Sequence, residues 1–263
     1  MRWSDTTPRK FTYEVGFNMT YFNSLWKVKA DEALSDLMNP YKRQTHQTDY
    51  YGLGYIDTGL YQNKEDILNS PRRLGSTQTK LGDIGYTDVN GDGKIDGEDQ
   101  VRIGKPTMPH FTYAFDFSLG YEGFTLSGLL YGTGERYMTF GNRYQSGEGK
   151  YLYYENQLNY WRPDNTGADF PRISISSGVN GNNNKAGSTF WMRNASYLRL
   201  KDLQLSYDFK YKYLKKCDWL QTCRVNLSGS NLFTISGVSK FFDPETSSTS
   251  GDGYPVQRVY SLV

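Results

Sequence analysis

The feature that most constrains this chain is period-2 alternation. Between 11 and 21, Phe11, Tyr13, Val15, Phe17, Met19 and Tyr21 alternate with Thr12, Glu14, Gly16, Asn18 and Thr20. Successive side chains of a strand point to opposite faces, so this run makes a strand with one apolar and one polar side. The pattern returns over 111–119, where Phe111, Tyr113, Phe115, Phe117 and Leu119 oppose Thr112, Ala114, Asp116 and Ser118. Tyr121, Glu122 and Gly123 then turn the chain into a strand over 124–132. Further strands are expected over 195–209, 224–235 and 254–263, and Met1–Asp5 reads as the end of another.

The connections alternate in length. Short links join 119 to 124 and 209 to about 222, while long ones run from about 23 to 109, 134 to 194 and 236 to 253. Tight turns at one end and large loops at the other are the pattern of an outer-membrane barrel. A soluble β-sandwich with large loops at one pole alternates in the same way. The loop asymmetry and 23 tyrosines favour the barrel. Within the loops, 29–39 and 63–70 predict short helices, the second with Asn63 as N-cap, and 153–161 predicts another, stopped by Pro163. Residues 178–188 read as a flexible loop tip.

Composition narrows the function. Lys and Arg number 30 against 28 Asp and Glu, so net charge gives no indication of a nucleic-acid partner. Aromatics at 16% with a mean hydropathy of −0.70 fit strands set between polar loops. No run approaches the roughly 18 apolar residues of a membrane helix, which leaves a β-barrel open. The first 15 residues have no apolar core, so no signal peptide is expected. Cys217 and Cys223 suit a disulfide or two free thiols equally, and His46 and His110 stand in no metal or catalytic spacing. No nucleophile–base pair or glycosidase-like pair of acids stands out, so an enzyme is not expected.

The run YTDVNGDGKIDGEDQ, 86–100, has the spacing of a calcium loop. Side-chain oxygens at positions 1, 3, 5, 9 and 12 are Asp88, Asn90, Asp92, Asp96 and Asp99. Gly93 allows the sharp turn at position 6, and Lys94 supplies a main-chain carbonyl at 7. Ile95 is the expected buried anchor. The flanks are not helical, so this is not an EF-hand, and the ion's expected role is structural. Aromatic residues in or beside the long loops suit a sugar-binding surface: Tyr50, Tyr51, Tyr55, Tyr144, Tyr153 and, foremost, Tyr151, Tyr154, Trp161 and Trp191. Arg172, Arg193, Arg199 and Arg258 are expected to pair with acids across strands or inside a lumen.

Several stretches together resemble one family. They include NPYKRQT (39–45), GYIDTGLYQNKEDILNSP (54–71), the segment 81–126 around the acidic loop, and YWRPDNTGADFPRI (160–173). The series continues through FWMRNASYLRLKDLQLSYDF (190–209), RVNLSGSNLFTI (224–235), FFDPE (241–245) and YPVQRVYSLV (254–263). In order and spacing they resemble the C-terminal portion of the SusC/RagA-like TonB-dependent outer-membrane transporters of Bacteroidetes. The resemblance implies an all-β fold: a partial transmembrane antiparallel β-barrel of about six C-terminal strands with long extracellular loops, covering 1–263 with a calcium-type loop at 88–99. It implies an importer of glycans or oligopeptides in the outer membrane, in contact with its lipid and working with a SusD-like surface lipoprotein. It also implies a TonB complex engaged through an N-terminal part, with plug and signal peptide, that this sequence lacks. The alternative is a secreted, calcium-stabilised, glycan-binding β-sandwich, which would bury the odd faces of 11–21 and 111–119.

Overall fold

The computed structural model of the chain describes all residues except 9, 49–51, 74, 76–77, 104–107, 146–152, 174–178, 218, 239–240, 247–253 and 255. Seven strands form one antiparallel sheet in chain order: β1 (Arg2–Thr6), β2 (Thr12–Tyr21), β3 (Phe111–Tyr121), β4 (Phe124–Gly134), β5 (Tyr197–Asp208), β6 (Arg224–Ser236) and β7 (Val259–Leu262). Each expected strand is present, though of 254–263 only Val259–Leu262 pairs, and the terminal Met1–Asp5 segment supplies β1.

Register turns the sequence alternation into two faces. Val15 and Phe17 of β2 stand opposite Phe117 and Phe115 of β3, which in turn face Gly128 and Leu130 of β4. Leu126 meets Leu205 of β5, Leu205 meets Leu227 of β6, and Leu227 meets Leu262 of β7. Directly opposed residues share a side of the sheet, so an apolar face runs unbroken across all seven strands. The other face carries Glu14, Asp116, Ser118, Ser127, Gln204, Asn226 and Ser228 at the paired positions between.

Nothing in the described chain covers the apolar face. Phe17, Met19 and Tyr21 are 46, 57 and 56% exposed, and Ile235 and Leu262 are 64 and 72% exposed. A sandwich would bury the odd positions of 11–21 against a second sheet. The other sheets among the described residues are four two-stranded ribbons. The sandwich expectation is therefore corrected: among the described residues there is one large sheet and no facing layer.

At one end the strands join tightly. Glu122 and Gly123, both at positive φ (46° and 86°), form the two-residue turn between β3 and β4; such a turn matches the twist of the strands it joins. The β1–β2 link closes through main-chain bonds from Thr7 N to Phe11 O at 2.8 Å and from Lys10 N to Thr7 O at 2.9 Å. At the opposite end, all three long connections fold together. Their shared core holds Tyr55, Ile84, Tyr86 and Ile95 from the first, Phe140, Tyr144, Phe170 and Trp191 from the second, with Phe241 and Phe242 of the third packed against it. The hydrophobic core of this chain lies in its loops rather than on its sheet.

The helical expectations are met in part. Lys64–Asn69 forms with Asn63 as its cap: the Asn63 side chain accepts from Asp66 N at 2.8 Å, and Asp66 Oδ2 accepts from Asn63 N at 3.2 Å. Of 29–39 only Leu34–Met38 is helical, and of 153–161 only a 3-10 turn over Glu155–Leu158. Leu34, Leu37 and Met38 are exposed, so no apolar stripe is buried to extend the first. The loop 178–188 winds as a 3-10 helix over Val179–Lys185.

Candidate functional site

The acidic loop is built from its own side chains. Gly91 and Gly93 take positive φ (77° and 83°), a conformation that needs no Cβ. Asp88 sits at the centre: its Oδ1 accepts from Gly91 N at 2.7 Å and its Oδ2 from Gly93 N at 2.8 Å. Asn90 and Asp92 accept from the amides two residues on, at 3.0 Å and 2.9 Å. Asp96 does the same from Glu98 N at 2.8 Å. Asp99, fully buried, accepts from Val89 N at 2.9 Å and from Asp96 N at 2.8 Å, so position 12 ties both ends of the loop together.

These bonds set the loop's electrostatics. The Gly93 N–H, aided by those of Gly91 and Asp92, holds the Asp88 carboxyl below its ordinary value, against the upward push of burial. The donor set is all oxygen, as a hard divalent ion such as calcium requires. Among the described residues no three acid side chains converge as a metal cluster. Asn90, Asp92 and Asp96 instead turn to the main-chain amides two residues on.

The loop is anchored to the shared core. Lys94–Ile95 pairs in parallel with Arg72–Arg73, and Ile95 is buried beside Ile84 and Tyr86, as expected of the anchor. An ion holding Lys94 O would therefore fix a strand that reaches the centre of the loop layer.

The aromatic residues expected to face a ligand fall elsewhere. Trp191 is completely buried, with its indole donating to Asn184 O at 2.9 Å. Trp161 is buried too, its indole donating to Gln62 Oε1 at 2.8 Å. The Trp161 bond holds the second long loop to the first, the Trp191 bond closes within the second, and neither ring offers a face to a ligand in this conformation. Tyr154 is half-buried, its ring 4.9 Å from that of Tyr144 at the edge of the core. Tyr50, Tyr51 and Tyr151 lie outside the described residues.

A polar cluster lies where the third long loop meets the sheet. Arg199 of β5, almost wholly buried, forks onto Asp243 at 2.7 Å and 2.8 Å and reaches Glu245 Oε2 at 2.9 Å. Its Nε donates to Thr234 of β6 at 2.8 Å. Tyr197 OH and Lys201 Nζ also bond Glu245, at 2.7 Å each. Burial pushes the Glu245 carboxyl up, but Lys201, Tyr197 and Arg199 together outweigh it and hold it low. Against β4, Leu129 stands opposite Asp202 and Leu130 opposite Leu200, which leaves Lys201 as an extra residue of β5 whose Nζ reaches the loop at Glu245. The sequence suggested an acid partner for Arg199; the two acids flanking Pro244 in FFDPE were the available signal for which loop supplies it. Arg172 pairs with buried Asp83 at 2.6 Å, Arg193 stacks over Phe140 at 5.2 Å, and Arg258 is exposed. Cys217 and Cys223 are free thiols in this structure.

Comparison with known proteins follows the same lines. No family model matches the chain. TonB-dependent receptor P3 of Formosa agariphila is 30% identical over 183 residues, which cover 70% of this chain and 17% of that protein. TonB-dependent receptor P26 of the same organism is 27% identical over 201 residues, covering 74% of this chain and 19% of that protein. The chain thus spans less than a fifth of these relatives. Among solved structures, the RagAB peptide importer in its open-open state matches 99% of this chain at a TM-score of 0.66 and 21% identity, over 27% of its own chain. A second RagAB peptide transporter structure gives a TM-score of 0.65. Sequence similarity to the receptors and likeness of fold to RagAB together bear out the resemblance to SusC/RagA-like TonB-dependent transporters.

Proposed function

We propose that this chain, related to the TonB-dependent receptors, is the C-terminal barrel portion of an outer-membrane importer of glycans or oligopeptides. The observation that carries the reading is the uncovered apolar face spread over seven strands, backed by a polar one. Water penalises such a surface at roughly 25 cal/mol per Å², whereas lipid does not. The ten steps along the eleven residues of β3, at about 3.4 Å each and a tilt of about 40°, rise about 26 Å, close to the apolar band of about 25 Å in membrane barrels. The outer edges of β1 and β7 pair with no other strand of the sheet. Hydrocarbon does not tolerate open edges, so further strands of a parent barrel close the wall. The polar face then lines the lumen, and the three-loop layer stands on the outside.

The importer works with a SusD-like surface lipoprotein, which the loop layer meets. The RagAB structures, described as a peptide importer, support a peptide substrate alongside glycans. Purification of the native protein from detergent-solubilised outer membrane tests the partnership. The reading expects a stoichiometric lipoprotein; a monodisperse protein without one removes the partner.

Calcium in the 88–99 loop belongs to the same reading, as a structural ion held by Asp88, Asn90, Asp92, Lys94 O, Asp96 and Asp99. A dissociation constant on the order of 10⁻⁴–10⁻³ M suits the cell exterior, and a tenfold excess of ion stabilises by about 1.4 kcal/mol. Added calcium should slow proteolysis of 86–100 several-fold, and Asp88→Ala with Asp92→Ala should remove that dependence. Equal cleavage with calcium and with chelator in the unsubstituted protein sinks the idea. The pH response follows from Asp88. Its folded value lies below that of an unfolded Asp, about 3.9, so its contribution is present above that value and is lost as pH falls through the folded one. Loop protection in chelator should hold from pH 7 to about pH 4 and fail below it.

A further inference from the structure

We propose that the β5–β6 turn is a binding site for anionic phospholipid headgroups on the short-turn side of the membrane, an inference that rests on the barrel reading. The turn reads KYKYLKKCDWL over 210–220, with Lys210, Lys212, Lys215 and Lys216 inside seven residues.

Its side chains are placed by an aromatic series that begins on the apolar face. Phe124 and Tyr207 stand opposite each other there, ring centroids 4.4 Å apart. Tyr207 meets Phe209 at 5.0 Å and Tyr213 at 6.4 Å. The turn therefore leans along the apolar side of the wall and away from the lumen. Lys212 Nζ lies 6.0 Å from the centre of the Tyr213 ring, and Tyr213 is 69% exposed. Trp219 is 84% exposed on the same turn. Tyrosine and tryptophan next to lysine, at the edge of an apolar band, suit the headgroup layer, where rings sit at the interface and ammonium groups meet phosphate.

The charges are available for that role. Lys212, Lys215 and Lys216 are exposed and make no ion pair with a described acid. Lys210 Nζ instead donates to Leu220 O at 2.6 Å, which braces the turn. The described acid nearest in sequence, Asp208, accepts from Lys210 N at 2.9 Å and lies 3.8 Å from Arg224. Each lysine near an anionic leaflet contributes a several-fold preference, which falls off within a Debye length.

The test uses the native protein in nanodiscs of phosphatidylcholine alone and with phosphatidylglycerol at about a third of the lipid. Retained lipid is counted by mass spectrometry after detergent exchange. The unsubstituted protein should keep phosphatidylglycerol over phosphatidylcholine, and Lys212→Gln with Lys215→Gln and Lys216→Gln should cut that preference roughly tenfold or more. Both proteins should insert equally into phosphatidylcholine. Equal insertion with no change in preference overturns the headgroup site and leaves the barrel reading intact; failure of the unsubstituted protein to insert overturns the barrel reading and the site with it. Abolition of the preference by millimolar inorganic phosphate overturns the lipid assignment in favour of a small-anion site.

Discussion

Replacing Arg199 with Met should free the third long loop from the sheet. The guanidinium holds both carboxylate oxygens of Asp243, one of Glu245 and the hydroxyl of Thr234. Methionine fills much of the same volume but leaves Asp243 half-buried with no cation. Removing one partner of a buried pair costs about 3–5 kcal/mol, because the remaining charge stays out of water. Lys201 still serves Glu245, so the effect should concentrate at Asp243. Amide exchange over 241–246 should quicken by two orders of magnitude or more while β3 and β4 exchange as before. Adding Asp243→Leu to Arg199→Met should recover part of the loss, since neither charge is then stranded. Unchanged exchange in the single variant would show that Phe241 and Phe242, packed in the loop core, hold the loop alone.

The second large effect is expected on the apolar face. Phe115 is the fifth of the eleven residues of β3, near its middle, and faces Phe17 and Leu130 across the two neighbouring strands. An arginine on the lipid face at the bilayer midplane destabilises a barrel by about 2–4 kcal/mol. Phe115→Arg should therefore lower the yield of folded, membrane-inserted protein at least tenfold, read by its mobility in unheated gels. Ser127→Arg, on the opposite face, should be tolerated because it meets a polar lumen. Equal yields from the two would place both faces in the same medium.

How much of this was legible in the sequence depended on periodicity. Strands 11–21 and 111–119 could be read residue by residue, since alternation fixes both the element and its faces. The N-cap at Asn63 was legible for a similar reason: a side chain and a main-chain amide three residues on decide it locally. The loop layer offered no such period. Trp161 and Trp191 looked like ligand-facing aromatics, yet they are buried because three loops distant in sequence converge on one core. Only long-range contacts, such as Trp161 with Gln62, decide that outcome. The short helix at Leu34–Met38 failed to extend for the converse reason, having no buried partner to favour its apolar residues. The calcium loop falls between these cases. Its ligand types and glycines are local and readable, while the bonds of Asp99 to Val89 N and Asp96 N emerge only once the loop has closed.

The central claim is that one face of the sheet meets lipid and the other a water-filled lumen. Single cysteines at 115, 116, 117 and 118, in a background with Cys217→Ser and Cys223→Ser, test it when the inserted protein is treated with a water-soluble maleimide. The account predicts alternation: labelling at 116 and 118, protection at 115 and 117, and loss of that protection when the membrane is dissolved by a denaturing detergent. Labelling at 115 and 117 in the intact membrane, or equal labelling at all four positions, would contradict it.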